Sequence, residues 1–173
     1  KSEDADVSVC GYTQCETDTQ KKPKVFNHKK ILSRKDFINI IYRFSDWKRV
    51  HGDGGMVWKQ VYKASVIRGL RFIDDEFFVE DEFYNLQVAK IAQKFVYIPE
   101  NLYFYRNVPT SLTNQDKFLI KLMNGRRKCY ELCLEFSLEQ QLTILSAFIE
   151  VAILVLKTGH HVIGLKKYQD ECQ

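Results

Sequence analysis

The sequence lacks the patterns that mark several common kinds of site. Its five cysteines are an odd number without a Cys-x-x-Cys pair, so neither a zinc site nor a disulfide framework is indicated. No Gly-x-Gly-x-x-Gly fingerprint occurs, and the acidic residues do not have the spacing of an EF-hand loop. We find no internal repeat and no low-complexity segment. Reduced thiols in a cytosolic protein are the simplest interpretation of the cysteines.

An excess of charge of one sign is also nearly absent. The chain has 26 Lys and Arg against 22 Asp and Glu, a net charge of +4. Basic residues are partly clustered, as in Arg126-Arg127-Lys128. So weak an excess can favour an anionic membrane or a phosphate, but no nucleic-acid-binding motif accompanies it. We therefore expect no nucleic-acid partner, and peripheral contact with a membrane stays open.

What the sequence does contain is typical of one globular domain. The 173 residues are 45% hydrophobic, 13% aromatic and 28% charged, which suits a packed core. The chain begins Lys1-Ser2-Glu3 instead of Met, which suggests a fragment boundary or a processed start, and we expect no signal peptide before Asp4. We expect a piece of a longer protein that is located in the cytoplasm.

Hydrophobic periodicity predicts strands and helices in the first third of the chain. Alternating apolar and small polar side chains over residues 5–12 predict a strand. The polar residues 13–24 indicate a loop or a long hairpin arm. Ser33 and Asp36 form an S-x-x-D start, related to the capping box, for a helix over roughly 33–45.

An acidic cluster marks the middle of the chain. Six carboxylates lie within residues 74–82, and a helix is predicted to begin at Glu80. After this helix we predict a strand over 95–98, closed by Pro99, and another strand over 102–106. The second strand alternates its side chains, so we expect one face in the core and the other near a site.

The last third of the chain is predicted to be helical beyond Asn114. A final helix over about 138–157 has one apolar face, formed by Leu142, Leu145, Ile149, Ala152, Ile153 and Leu156. Its stretch 142–156 is apolar almost all round but short of the about 20 residues that span a bilayer. We interpret the helix as buried on most sides, with docking on a partner or membrane as the alternative.

Short motifs follow one another in a fixed order over residues 56–113. The chain reads Val57-Trp58-Lys59-Gln60-Val61-Tyr62-Lys63-Ala64-Ser65-Val66-Ile67, then Arg71-Phe72, Glu80-Asp81-Glu82-Phe83-Tyr84, Leu102-Tyr103-Phe104-Tyr105-Arg106 and Ser111. This order resembles family 2 glycosyltransferases, which often carry W-N-K-L-Y-[KR]-x-S-[LI]-[LI], an E-D pair at a helix start, Y-x-Y-R and S. Lys59 and Gln60 stand where the family has Asn and Lys. The Q-x-x-R-W motif of processive synthases is absent, which favours a single-addition transferase.

The resemblance implies a fold and a division of the chain. It implies an α/β fold in which residues 1–114 form the C-terminal, acceptor-side part of a GT-A-like mixed sheet with flanking helices. Residues 115–173 would be a helical C-terminal extension. The nucleotide-sugar half of such enzymes, with its D-x-D metal site, lies upstream of this part. We therefore expect a divalent metal, Mn or Mg, only in the full-length enzyme, and little activity from this chain alone.

The resemblance also implies a reaction and its catalytic group. A sugar would pass with inversion from a nucleotide-diphosphate sugar to a hydroxyl of a saccharide or lipid-linked acceptor. One carboxylate would remove the hydroxyl proton, and the family assigns this role to the Asp of the E-D pair, here Asp81, with Glu80 beside it. The charges of Glu80 and Glu82 would raise the pKa of Asp81 above the usual value of about 3.9. The alternative is an acidic first turn that interacts with the helix dipole.

The acceptor side of the site would contain Trp58, Tyr105 and Arg106. The alternatives are a core position for Trp58 and a structural ion pair of Arg106 with Asp81 or Glu80. A second function is also open: a non-catalytic interaction module on the same scaffold. Other expected features are location at the inner face of the membrane and a homodimer, formed through an exposed sheet edge or the C-terminal helix.

Overall fold

The described part of the chain alternates strands and helices. The computed structural model describes residues 4–15, 19–21, 27–42, 55–73, 79–106 and 118–158. The strands are β1 (Val7–Cys15), β2 (Thr19–Lys21), β3 (Lys30–Leu32), β4 (Gln60–Tyr62) and β5 (Phe95–Arg106). The helices are α1 (Arg34–Tyr42), α2 (Ala64–Ile67), α3 (Glu80–Ile91), α4 (Phe118–Leu132) and α5 (Leu138–Thr158), with 3₁₀ turns at Val57–Lys59 and Cys133–Glu135. Ser111, the last of the short motifs, and the three carboxylates at 74–76 of the acidic cluster lie outside the described residues.

One mixed sheet lies at the centre. Its order is β2-β1-β5-β3, and β4 pairs with the first half of β1. The central pair, β1 with β5, is parallel, whereas β2, β3 and β4 each pair antiparallel with their neighbour. The predicted α/β class, with a mixed sheet and flanking helices, is thus confirmed. The predicted strand at 5–12 corresponds to β1, and β2 folds back on its end as the predicted hairpin arm.

The break predicted at Pro99 is wrong, because β5 runs through it as one strand. Its pairing with β1 shifts register at this point: Cys10 pairs with Ile98, but Gly11 pairs with Asn101. Proline has no N–H to donate to a ladder, so it is tolerated at such an irregularity. The strands also approach closely there, since a Cβ on Gly11 would collide with the Asn101 side chain.

The start of α1 follows the local prediction. The Ser33 hydroxyl accepts the Asp36 N–H at 3.1 Å, and the Asp36 carboxylate accepts the Ser33 N–H at 3.0 Å. These two bonds are a reciprocal capping box. The predicted helix at 33–45 is therefore confirmed as far as Tyr42, and residues 43–45 lie outside the described ranges.

A single hydrophobic core joins the sheet to the helices. Phe37 of α1 stacks on Phe95 of β5 at 4.5 Å between ring centroids. The same core cluster includes Cys129 of α4 and Ile144 of α5. Residues on both sides of the predicted 114/115 boundary share this core, and the boundary itself stays a prediction. The described thiols at Cys10, Cys129 and Cys133 are free.

Helix α5 differs from its predicted burial on most sides. It buries one face, made of Ile144, Ala147, Val151 and Val155. The opposite side exposes Leu138, Leu142, Ile149, Ile153 and Leu156 by 44–71% of their surface. The burial interpretation is therefore wrong, because the core contacts α5 along one side only. The helix predicted at about 138–157 is confirmed as Leu138–Thr158. Its apolar stretch is longer than the predicted 142–156, since among the described residues Leu138–Leu156 is long and apolar enough to cross a membrane by length and composition alone.

Candidate functional site

The candidate site lies where the first turn of α3 meets the segment before β4. Asp81, in that first turn, accepts a hydrogen bond from the Val57 N–H at 3.2 Å. One turn later, the Asn85 side-chain amide donates to the Gly55 carbonyl. Residues four apart on a helix share one face. One face of α3 therefore holds the 55–57 segment at two points.

Further contacts fix this segment from both ends. Asn85 is fully buried, and its amide oxygen accepts the Tyr62 hydroxyl of β4 at 2.8 Å. Burial, and to a smaller extent the charge of Asp81, raises the pKa of Tyr62 above its ordinary value, so it stays a neutral donor. Gly55 packs on α1, where an added Cβ would lie 2.7 Å from Ile41 Cγ2. A larger residue at this position would require the Ile41 side chain to shift.

The carboxyl of Asp81 has a raised proton affinity. Burial is the largest cause and raises its pKa to about 6, against the lowering effect of the Val57 N–H. The charges of Glu80 and Glu82 add to the rise. The direction agrees with the expectation from sequence, although burial contributes more than the neighbouring carboxylates. A carboxylate with this pKa is mostly ionised at neutral pH and binds a proton more tightly than an ordinary Asp.

This raised pKa predicts a pH dependence of stability. The folded chain binds the Asp81 proton more tightly than the unfolded chain, in which the pKa is near 3.8. The contribution of Asp81 to the free energy of unfolding therefore falls as pH rises from about 4 to about 6, and it stays lower above pH 6. Asp81→Asn cannot ionise, so we expect it to be more stable than wild type at pH 7, by on the order of 1–2 kcal/mol after solvent screening. Urea unfolding from pH 4 to 7 measures the difference.

The control for this series is Glu131→Gln, which removes an exposed carboxylate of α4. Near pH 4 the stabilities of wild type and Asp81→Asn should converge, since both then carry a neutral group at position 81. A lower stability of Asp81→Asn than of wild type at pH 7 would show that the charge of Asp81 stabilises the fold, contrary to this prediction.

The three consecutive acidic residues at the start of α3 have different environments. Glu80 is exposed and Asp81 is half-buried. Glu82 is buried and forms an ion pair with Arg126 of α4, with Nη2 and Oε1 3.1 Å apart. Arg126 also donates from Nη1 to the Ala147 carbonyl of α5 at 2.9 Å. This bridge between helices was not predicted, because the sequence shows Arg126 only as part of a basic cluster.

Arg106 lies apart from these acidic residues. It is exposed at the end of β5, and the structure shows no ion pair between Arg106 and either Asp81 or Glu80, all three of which are described. The alternative that Arg106 forms a structural ion pair with them is therefore wrong. The arginine that pairs with this acidic cluster is Arg126 of α4, and its partner is Glu82.

An aromatic cluster adjoins the segment that Asp81 holds. Trp58, the residue after Val57, stacks on Tyr103 at 4.4 Å and on Tyr105 at 5.2 Å between ring centroids. Its edge contact with Tyr12 of β1 is at 5.1 Å. Trp58 is half-buried, so it is intermediate between the predicted core position and an open surface. The structure brings Trp58 and Tyr105 together. Trp58 directly follows Val57, whose N–H binds Asp81.

The other side of this part of β5 is exposed and apolar. Leu102 is 63% exposed and Phe104 is 67% exposed. The expectation that one face of this strand lies in the core is wrong for these residues, because Trp58 and Tyr12 pack on the tyrosine side. The strand thus has an aromatic face toward the 3₁₀ turn and an apolar face toward solvent.

The described side chains include no evident metal site, and the comparisons with known proteins add no support. Within the described ranges there is no group of three or more His, Cys, Asp or Glu side chains that could hold a metal ion, and the metal expected of the full-length enzyme stays a prediction. The chain matches no protein-family model, and no curated protein matches it.

Proposed function

We propose that this chain is the acceptor-side part of an inverting, family 2-type glycosyltransferase with a GT-A-like fold, and that Asp81 is its general base. One observation carries the proposal. A half-buried carboxylate with its pKa raised to about 6 lies at a helix start, hydrogen-bonded to the segment that carries Trp58. An acid-base group is most effective when its pKa lies near the working pH.

The geometry of Asp81 suits this role. Among the described residues only the Val57 N–H donates to this carboxylate, and it does so to Oδ2. In the proposed reaction the carboxylate takes the proton of an acceptor hydroxyl. The hydroxyl oxygen forms a bond to the anomeric carbon of the donor while the bond from that carbon to the diphosphate breaks. The nucleotide diphosphate leaves, and Asp81 returns its proton to water.

The acceptor would lie against the aromatic cluster of Trp58, Tyr103 and Tyr105. Aromatic rings offer apolar faces with polar edges, which suit a sugar ring. The stacking of Trp58 on the two tyrosines holds its ring in one orientation, as a positioned site requires. Arg106, exposed at the end of β5, is available to bind a phosphate of a lipid-linked acceptor. Such an acceptor would place the protein in the cytoplasm at the inner face of the membrane.

A divalent metal, when bound to the full-length enzyme, would neutralise the leaving diphosphate. The described residues offer no donor set for such an ion, so no step proposed for this chain depends on it. What this part of the chain would supply is the base, the acceptor surface and the rigid frame between them. The frame is the clamp of Asp81 and Asn85 on the 55–57 segment.

The second candidate function is a non-catalytic interaction module. The bond from Val57 to Asp81 favours it, since the same bond would satisfy the first N–H of the 3₁₀ turn in a protein without chemistry. The exposed apolar side of α5 favours it too. Activity separates the two functions, because only the enzyme releases nucleotide from a sugar donor.

The test is nucleotide release by protein expressed from the whole native reading frame. UDP-glucose, UDP-N-acetylglucosamine and GDP-mannose, each with Mn²⁺ and a mixture of simple saccharides, are the probes. We expect release of nucleotide diphosphate from at least one donor, above the rate without protein. Absence of both release and binding with every donor would favour the interaction module.

A further inference from the structure

The exposed side of α5 has a regular apolar repeat. We call the following six residues the outer ridge: Leu138, Leu142, Leu145, Ile149, Ala152 and Leu156. Their spacing alternates between four and three residues along the helix. This is the 3.5-residue repeat with which helices pack on one another side by side.

Four of the six outer-ridge residues are exposed, and the other two, Leu145 and Ala152, are half-buried. Leu138, Leu142 and Leu156 are 71%, 54% and 69% exposed, and Ile149 is 46% exposed. The residues that α5 does bury, such as Ile144, lie on the other side of the helix, since each residue turns by about 100°. The outer ridge is therefore a second apolar face on a helix that already has one face in the core.

We propose that the outer ridge is a dimer interface, on which a second copy of this chain packs its own outer ridge in antiparallel orientation. Two-fold symmetry brings the same face of both copies together. An antiparallel pairing centred on the ridge sets Leu142 opposite Ala152 of the second copy, and Leu145 opposite Ile149. The large Leu142 then meets the small Ala152, whereas a parallel pairing would leave a gap where two alanines face each other.

The charges beside the outer ridge favour a protein partner over a lipid surface. The stretch Leu138–Leu156 carries Glu139 and Glu150 and contains no Lys or Arg. Helices that lie on membranes typically carry Lys and Arg on their polar face, which attract anionic lipids. Lys35 of α1 forms an ion pair with Glu139, so the flank of this stretch carries no excess positive charge that would attract such a surface, and Glu150 adds a negative one. Charges on the flank leave a helix pair unaffected where they point away from the seam.

The size of the outer ridge sets the expected affinity. Helix α5 has 21 residues, which corresponds to a length of roughly 31 Å. One helix face of this length offers less than the about 800 Å² per partner of a standard interface. We therefore expect a weak, reversible dimer with a dissociation constant on the order of 1–100 µM.

Sedimentation velocity of the 173-residue chain, over about 1–300 µM, measures this equilibrium. We expect Leu142→Glu and, separately, Ile149→Glu to raise the dissociation constant at least about 10-fold, because each buries a charge in the seam. The matched control is Leu134→Glu, a leucine of similar exposure (58%) outside the outer ridge, which should change it less than about 2-fold. Far-UV circular dichroism verifies that each variant is folded.

Three results would overturn the proposal. The first is a wild-type chain that stays monomeric at about 300 µM. This result can be interpreted without any variant. The second is a dissociation constant that changes by the same factor in Leu142→Glu, Ile149→Glu and Leu134→Glu. The third is a monomeric wild-type chain that floats with vesicles of phosphatidylcholine and phosphatidylglycerol, which would make a membrane the occupant. The proposal does not depend on catalysis, so it stands or falls separately from the proposed function.

Discussion

Replacing Asp81 with asparagine is expected to lower the rate of sugar transfer at least about 100-fold in protein from the whole reading frame. Asparagine has nearly the same shape, and its amide oxygen can still accept the Val57 N–H. The segment with Trp58 should keep its place, while the group that takes the proton is lost. Steady-state kinetics measures the loss in kcat, and a donor titration should give an affinity within about threefold of wild type.

The pH profile adds a readout that a purely structural role would not change. With Asp81 as the base, kcat/KM of the wild type should fall as pH drops below about 6, because the base is then protonated. Glu131→Gln, which removes an exposed carboxylate of the same charge on α4, should keep both the rate and this profile. Near-normal turnover of Asp81→Asn would remove Asp81 from the mechanism.

The second large effect is expected at the buried ion pair. Arg126→Met should lower the free energy of unfolding by about 3–5 kcal/mol, because it leaves the Glu82 carboxylate buried and unpaired. The Glu82 side chain is only 10% exposed, so water cannot replace the lost partner. The variant also loses the bond from Arg126 to the Ala147 carbonyl, and with it a link between α4 and α5. Urea unfolding measures the difference, and we expect the m-value to be the same in both proteins.

The adjacent arginine provides the matched control. Arg127 is 58% exposed and lies 3.7 Å from the Glu131 carboxylate. Since exposed ion pairs contribute about 0–1 kcal/mol, Arg127→Met should have little effect. The double variant Glu82→Leu with Arg126→Met should recover much of the loss, because no lone charge remains in the interior. Equal destabilisation by the two single arginine variants would contradict this account of Arg126.

Features with local causes could be predicted from the sequence. The start of α1 depends on Ser33 and Asp36, three residues apart, and the capping box appears in both the sequence and the structure. The start of α3 at Glu80 is equally local. Pro99 was misleading, because its effect depends on the neighbouring strand: at a register shift it is tolerated, and elsewhere in a sheet it would end the pairing.

Features that depend on tertiary contacts could not be predicted. The resemblance indicated Asp81, but its burial and its bond to Val57 depend on how α3 packs on a segment 24 residues earlier. The pairing of Glu82 with Arg126 spans 44 residues and has no local signal. Helix α5 is apolar almost all round, so its sequence alone could not show which face meets the core.

The parallel pair at the centre of the sheet has a consequence for how the chain acquires its structure. β1 forms its ladder with β5. Beside it, the Asp6 carboxylate accepts a hydrogen bond from the backbone N–H of Lys94, 88 residues later. Contacts so distant in sequence make folding slow, since a long loop must close before any pairing is gained. During synthesis, the first strand must wait on the ribosome for most of the described chain to emerge before it finds its principal neighbour.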